Sequence, residues 1–465
     1  MAKKRKQEDE EHLEFSEEED IKQSEAKLHK AKQLLSSVME DVDAQDLDKS
    51  LISTRILKAT AQAQGRRLYE PLAARIDFAS PAEVGKGCSH YRGSPVCIAI
   101  SPCGRFVYSG WSTGAVRKYD RKLARVINHF PPSSSSSNKA LTNALKTRKA
   151  VVSPVTALAL SPSGAYLVVG RKDGVIDLYD AVSHKPGSVP VGVFSHRAGI
   201  TALCFGPEDT RVYSASQDRT IKVWQVSTQE SNKSLLLSFL DTLHGHQDAI
   251  PCLSSIGEDR CLSVGGRDRT ARLWKIVEES QLLFRSTSDQ QDHQGQENVL
   301  DGDTLECISA LSDARFVTGA DSLAVWSHGR KKPVFRLPLT SKAISMCILP
   351  GCDLLAVGTV LGQVLLYQYT NEELLLLHTI DMSILLKANN ESNDDSSEEE
   401  DNRGLVNSLA WAFEEDSHSI TLAVAYAREG RLDRVRVASV PSRVYTFTWS
   451  LLHPSSNPAL QQHSA

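Results

Sequence analysis

The sequence predicts an all-β protein, a seven-bladed β-propeller with a helical or disordered N-terminal extension, and three observations point to it. SQDRTIKVWQ (216–225) and GRDRTARLWK (266–275) repeat an Asp, a Thr and a Trp at fixed offsets, about fifty residues apart. Seven segments share one grammar: an apolar run, a Pro/Gly/Asp turn, a second run ending in small residues, a tight turn, then a run ending in an aromatic residue. A four-stranded sheet of this kind buries too little alone, and a ring of such sheets buries both faces of each one.

The units run in order at 96–120, 155–180, 200–226, 250–276, 305–327, 343–369 and, more diverged, 406–438. They match the WD-repeat pattern. In unit three, His196, Ser214, Asp218 and Trp224 hold the positions of a buried polar chain. The indole donates to the hydroxyl, the hydroxyl meets the imidazole, and the carboxylate receives the imidazole proton. Unit four supplies His246, Asp268 and Trp274 but places Val264 where the hydroxyl is expected, which predicts a broken chain there. Units one, two and six end in Tyr119, Tyr179 and Tyr367, and the turn of unit five is shortened.

These repeats are expected to occupy residues 81–455, between an extension at 1–80 and a disordered tail at 456–465. In the extension, Lys3, Lys4, Arg5 and Lys6 form a basic cluster that fits either a nuclear import signal or a charged, disordered start. Leu28, Ala31, Leu35, Val38 and Met39 then recur at helical spacing, as do Leu47, Leu51, Ile52 and Ile56, so two amphipathic helices are expected.

The net charge of −4 hides an uneven distribution. Acid is concentrated at 8–20 and in ESNDDSSEEED (391–401), and the remaining body is basic. Ser16 and Ser396 precede acid runs and are candidate phosphorylation sites. No apolar run approaches the roughly 20 residues that cross a bilayer, and no signal peptide is visible, so a soluble protein in a reducing compartment is expected. Five of the 9 cysteines, Cys97, Cys204, Cys252, Cys307 and Cys347, fall in apolar runs that open repeats, and no CxxC pair or Cys/His ligand spacing occurs. No metal, cofactor or small-molecule substrate is expected.

A His, a Ser and an Asp in one unit resemble a hydrolytic triad, but these residues recur where the fold needs them, and no catalytic residue is expected. The informative residues are those the repeat does not demand. Positions one or two before the turn Asp, and one after it, are expected to project from one rim: Arg171 and Lys172 in unit two, Arg219 in unit three, Arg267 and Arg269 in unit four, with Trp111 as an aromatic at the end of the arc. Phosphate attraction with base stacking is a recipe for gripping single-stranded or irregular RNA. A further basic cluster runs through Arg117, Lys118, Arg121, Lys122 and Arg125 to Lys139, Lys146, Arg148 and Lys149. A solvated surface with counterions fits the same composition, so both readings stay open here.

The stretch GHQDAIPCLSSIGEDRCLSVGGRDRTARLWKIVEESQLLF (245–284), with its GGRD turn and WKIVEESQLLF tail, resembles the WD-repeat subunit of the U3 small nucleolar ribonucleoprotein, the U3 snoRNA-interacting protein family. SQDRTIKVWQV, TGADSLAVW, EGRLDR at 429–434 and EAKLHKAKQLL before the ring resemble further landmarks of that family. The resemblance implies a nucleolar, non-catalytic scaffold. It would bind the box B/C region of U3 snoRNA beside a kink-turn-binding snoRNP protein and other small-subunit processome proteins, and act in small-subunit ribosomal RNA processing. A nuclear protein-interaction propeller, such as a ubiquitin-ligase substrate adaptor or a chromatin scaffold, is the alternative of a different class.

Overall fold

In the computed structural model, residues 72–451 are described apart from 79–80, 82, 90–92, 131–152, 183–190, 195, 230–233, 257–258, 287–303, 313–314, 331, 371–372, 384–403, 415–417 and 431–441. Seven four-stranded antiparallel sheets follow one another along the chain. Blade one is formed by Pro95–Ile100, Phe106–Trp111, Val116–Asp120 and Arg125–Phe130. Blade three is formed by Ile200–Phe205, Arg211–Ser216, Thr220–Gln229 and Ser234–His244. Blade four is formed by Cys252–Ile256, Arg260–Val264, Thr270–Lys275 and Ser280–Arg285.

Each sheet buries its apolar faces against its neighbours, so the core is a series of seams. Ile200, Leu203 and Trp224 of blade three pack with Val168 and Leu178 of blade two. On its other face, Tyr213 and Val223 pack with Leu253, Cys261 and Trp274 of blade four. The second strands are buried on both faces almost throughout, as sequestration between two neighbours requires. Cys97 and Cys307 are buried in first strands, and Cys204, Cys252 and Cys347 are half-buried in theirs, in keeping with small apolar packing groups. Aromatics close the third strands in equivalent registers, with Tyr119 opposite Val107, Trp224 opposite Val212 and Trp274 opposite Cys261.

Closure of the ring differs from the sequence expectation in two ways. Unit seven does not end near 438: its third strand is Arg443–Ser450, and its outermost strand is Glu83–Ser89, from the other end of the chain. Glu83 lies opposite Thr448 and Lys86 opposite Tyr445. The two ends of the repeat region are thus stitched into one sheet. A second seam tie joins blades seven and one, where Arg121 is ion-paired with Glu414 at 3.0 Å and donates to Thr448 Oγ1 at 2.6 Å.

The boundary at residue 80 is also corrected. Leu72, Ala73, Ile76 and Phe78 are buried with Leu349, Leu354, Trp411 and Trp449 of blades six and seven, so the chain joins the ring before the expected start. The cause is a buried carboxylate. Asp353 Oδ1 accepts the backbone N–H groups of Leu72 (2.8 Å) and Ala73 (3.1 Å), and its Oδ2 accepts Gln368 Nε2 (2.8 Å). These bonds satisfy the opening amides of the 3-10 turn Ala73–Arg75, while Phe78 meets Trp449 edge-on at 5.6 Å.

The basic cluster at 3–6, both expected amphipathic helices, the acidic segment 391–401, Ser16, Ser396, the tail 456–465, most of EGRLDR, and Lys139, Lys146, Arg148 and Lys149 lie outside the described residues. Among the described residues, no helix is long and apolar enough to cross a membrane. Asp353→Ala leaves three donors without their acceptor. It is expected to accelerate amide exchange at Leu72 and Ala73 and to lower unfolding free energy by about 2–4 kcal/mol in denaturant titration.

Candidate nucleic-acid interface

The candidate interface is built on the turns between second and third strands. In an antiparallel meander these turns lie at the end of the sheet opposite the first-to-second turns that carry Asp209, Asp353 and Glu414. In blades one, two, three and six the turn closes by an i to i+3 hydrogen bond, from Gly114 N to Trp111 O, Gly174 N to Arg171 O, Arg219 N to Ser216 O and Gly362 N to Thr359 O. The last turn residue requires positive φ: 83° at Gly114, 83° at Gly174, 76° at Gly362 and 70° at Arg219. Blade four places Arg269 there at 56°. Two adjacent blades therefore carry an arginine where blades one, two and six carry glycine, in a region that costs a non-glycine residue about 1 kcal/mol.

Beneath these turns lie the buried polar chains. In blade three, Trp224 Nε1 donates to Ser214 Oγ at 2.9 Å, Ser214 Oγ meets His196 Nε2 at 2.8 Å, and His196 Nδ1 meets Asp218 Oδ2 at 2.9 Å. The serine has one proton and accepts from the indole, so the chain is satisfied throughout when Nε2 accepts and Nδ1–H donates to the carboxylate. Asp218 also accepts Arg197 N, Thr220 N and Thr220 Oγ1, at 3.1, 3.0 and 2.6 Å. One carboxylate thus ties the preceding loop to the turn that bears Arg219.

Blade four has the same chain intact, which corrects the expectation of a break at Val264. Ser263 supplies the hydroxyl: Trp274 Nε1 donates to it at 2.8 Å, His246 Nε2 meets it at 2.7 Å, and His246 Nδ1 meets Asp268 Oδ2 at 2.7 Å. Ser263 lies opposite Arg272, just as Ser214 lies opposite Lys222, each two residues before its Trp. The turn of unit four is one residue longer. Counting back from Asp268 lands on Val264, whereas matching RCLSV to RVYSA along the strand finds Ser263. Gly265 accommodates the extra residue, since a Cβ there would overlap the Asp268 carboxylate.

Burial would raise the Asp218 carboxyl, but hydrogen bonds from His196 and Thr220 outweigh it and hold the group well below the carboxylate range. Asp268 is shifted the same way against its burial, by His246 and Thr270. Blade five keeps a remnant, with Trp326 Nε1 donating to Thr318 Oγ1 at 2.9 Å. Serine, histidine and aspartate here serve the turns, and among the described residues no cluster of metal-ligating side chains occurs.

The structure places the six expected contact residues unequally. Lys172, Arg219 and Arg267 are exposed and Arg269 is half-exposed, all at the same end of blades two, three and four. Trp111 and Arg171 are corrected: their relative exposures are 0% and 3%. Both occupy the first residue of the turn, where the side chain still follows the strand and points into a seam between blades, as do the buried Ser216 and Thr359. Trp111 packs with Ile98, Tyr119 and Ala425 and donates to Ser109 Oγ at 3.0 Å. Arg171 pairs with Asp177 at 2.6 Å and donates to the carbonyls of Gly114 (3.2 Å) and Ser153 (3.0 Å), tying blade two to blade one.

The second basic cluster is largely occupied in the same way. Lys118 is 2% exposed, donates to the Ala181 carbonyl at 2.9 Å and lies over the Phe106 ring at 4.3 Å, and burial lowers its pKa. Arg121 and Lys122 are paired with Glu414. In their place the structure adds two exposed arginines that sequence reasoning missed. Arg197 follows the network histidine in the preceding loop, and Arg285 ends the outer strand of blade four opposite Thr270. The signal for Arg197 was the carboxylate reach of Asp218, which is fixed only in space. Acids share this region: Asp248 accepts Arg267 N at 2.9 Å, and Asp173 is exposed beside Lys172.

Comparison with known proteins follows this geometry. Residues 75–244 match the family described as nucleolar protein 10-like, N-terminal domain, and residues 237–275 match the WD domain, G-beta repeat. A solved structure titled crystal structure of RRP9 WD40 repeats superposes with a TM-score of 0.59 at 25% identity, covering 80% of this chain and 99% of that one. Ribosomal RNA-processing protein 9 of Saccharomyces cerevisiae is 25% identical over 342 residues, 63% of this chain and 57% of the relative. A U3 snoRNP-associated protein-like protein of Arabidopsis thaliana is 30% identical over 182 residues, 38% of this chain and 32% of the relative.

The chain is a WD-repeat relative of the U3 small nucleolar ribonucleoprotein proteins. The resemblance read from GGRD and its flanks is thereby borne out. The chain spans about three fifths, or less, of the length of the curated relatives it matches.

Two measurements check the polar chains. Ser263→Ala is expected to cost about 1–3 kcal/mol in denaturant unfolding, as much as Ser214→Ala, whereas a chain broken in blade four would make it neutral. Because Asp218 and Asp268 are depressed in the folded state, their contribution is complete above the unfolded carboxyl value near pH ~4 and is lost as pH falls through the folded values. The Asp218→Asn/Asp268→Asn variant is expected to show a shallower stability loss below about pH 4 than the parent.

Proposed function

We propose that this chain is a non-catalytic, RNA-associated scaffold subunit of the U3 small nucleolar ribonucleoprotein, acting in small-subunit ribosomal RNA processing in the nucleolus. It binds U3 snoRNA in the box B/C region, beside a kink-turn-binding protein and other processome proteins. The observation that carries this reading is the set of exposed cations Lys172, Arg219 and Arg267, with half-exposed Arg269, at one end of three consecutive blades. The relatives' names point to the same kind of particle.

Phosphate contact is the term such a surface supplies. Each phosphate neutralised adds roughly 0.7–0.9 to the slope of log affinity against log salt. The hydrogen-bonded turns hold the arginine backbones fixed before RNA arrives, so less ordering free energy is lost on binding.

The test is binding of the full chain to a U3 box B/C transcript across a salt series. Arg267→Glu/Arg269→Glu is expected to weaken binding by at least tenfold at moderate salt and to flatten the salt slope, with an unchanged unfolding midpoint. Wild-type affinity in this variant would reduce the arc to ordinary solvated surface.

A further inference from the structure

The aromatic expected at the end of the basic arc is not Trp111, which is buried, and the outer wall of blade three offers another. Phe239 on Ser234–His244 is 53% exposed. Its ring is held edge-to-face on Trp224, with centroids 5.5 Å apart at 71°, and Lys222 Nζ lies 5.5 Å from its centroid. A ring braced by a neighbour and accompanied by a cation suits an unpaired base, whose π-face stacks while the ammonium meets a phosphate.

The register gives the path from the rim. Thr220, next to Arg219, lies opposite the exposed His244, then Lys222 opposite Thr242 and Trp224 opposite Phe239, with a bulge at Val223/Trp224. At about 3.3 Å per residue, Phe239 lies about 15 Å from the Arg219 turn along one strand. A short single strand leaving the rim spans that distance. The bulge also sharpens the local twist and turns the lower strand relative to the turn.

We propose that Phe239 and Lys222 form a stacking site for an unpaired nucleobase, extending the phosphate-binding rim down the outer wall of blade three. This inference rests on the RNA reading above and adds a base-contacting element to it. Leu236 and Leu240 are exposed beside Phe239, and an apolar wall of that kind also suits a protein, which the test separates.

The probe is a U3 box B/C hairpin with or without a single-stranded adenosine extension carrying 2-aminopurine, titrated against the full chain. The extension is expected to tighten binding about fivefold or more, with quenching of 2-aminopurine fluorescence on binding. Phe239→Leu, which keeps apolar packing on Trp224, is expected to abolish both the gain and the quenching, and Phe239→Trp to retain both. Circular dichroism and the unfolding midpoint establish that each variant is folded. If neither hairpin binds, the RNA reading itself fails. If the hairpin binds but Phe239→Leu keeps the gain and the quenching, the stacking site is overturned.

Discussion

Ring closure is the constraint on which the structure depends. No blade can bury its faces without two neighbours, so the first and last blades are stable only when joined to each other. Glu83–Ser89 provides that joint by completing the sheet of Leu405–Glu414, Ser419–Ala427 and Arg443–Ser450. The seam below is tied by Arg121 to Glu414, and the chain before the closing strand is fastened by Asp353. These are polar devices at places where apolar packing alone would leave registers ambiguous.

Closure also explains why some of the cations expected at the surface are occupied inside the ring. Arg171, Lys118 and Arg121 face other blades, where a cation persists only with partners. Asp177, the Ala181 carbonyl and Glu414 are those partners. Other cations are lifted out of the seams by the turns, above all Arg219 and the half-exposed Arg269. Their positive φ values would suit glycine better, and the Asp218 and Asp268 networks hold those turns in place.

Much of this was legible in the sequence, for physical reasons that also mark where legibility stopped. Apolar runs separated by tight turns revealed seven units, six of them with an aromatic end, because each blade repeats the same burial. The outermost strand of blade seven was not legible, because a closing strand comes from the opposite end of the chain and carries no repeat signature. Ser263 escaped because one extra turn residue shifted the count, although the strand pattern retained it. Trp111 and Arg171 were misplaced by a single position, enough in a strand to exchange rim for seam. Arg197 and Phe239 lie on a preceding loop and an outer strand, whose spatial relation to the turn exists only after folding.

The central claim is that the turn-borne arginines of blades three and four face RNA. Its most direct measurement is crosslinking of the protein to RNA in cells, with the crosslinked peptides identified. The account predicts crosslinks to U3 snoRNA in peptides containing Arg197, Arg219, Arg267 or Arg269. Crosslinks confined to the opposite end of the blades, around Asp209, Asp353 and Glu414, would contradict it.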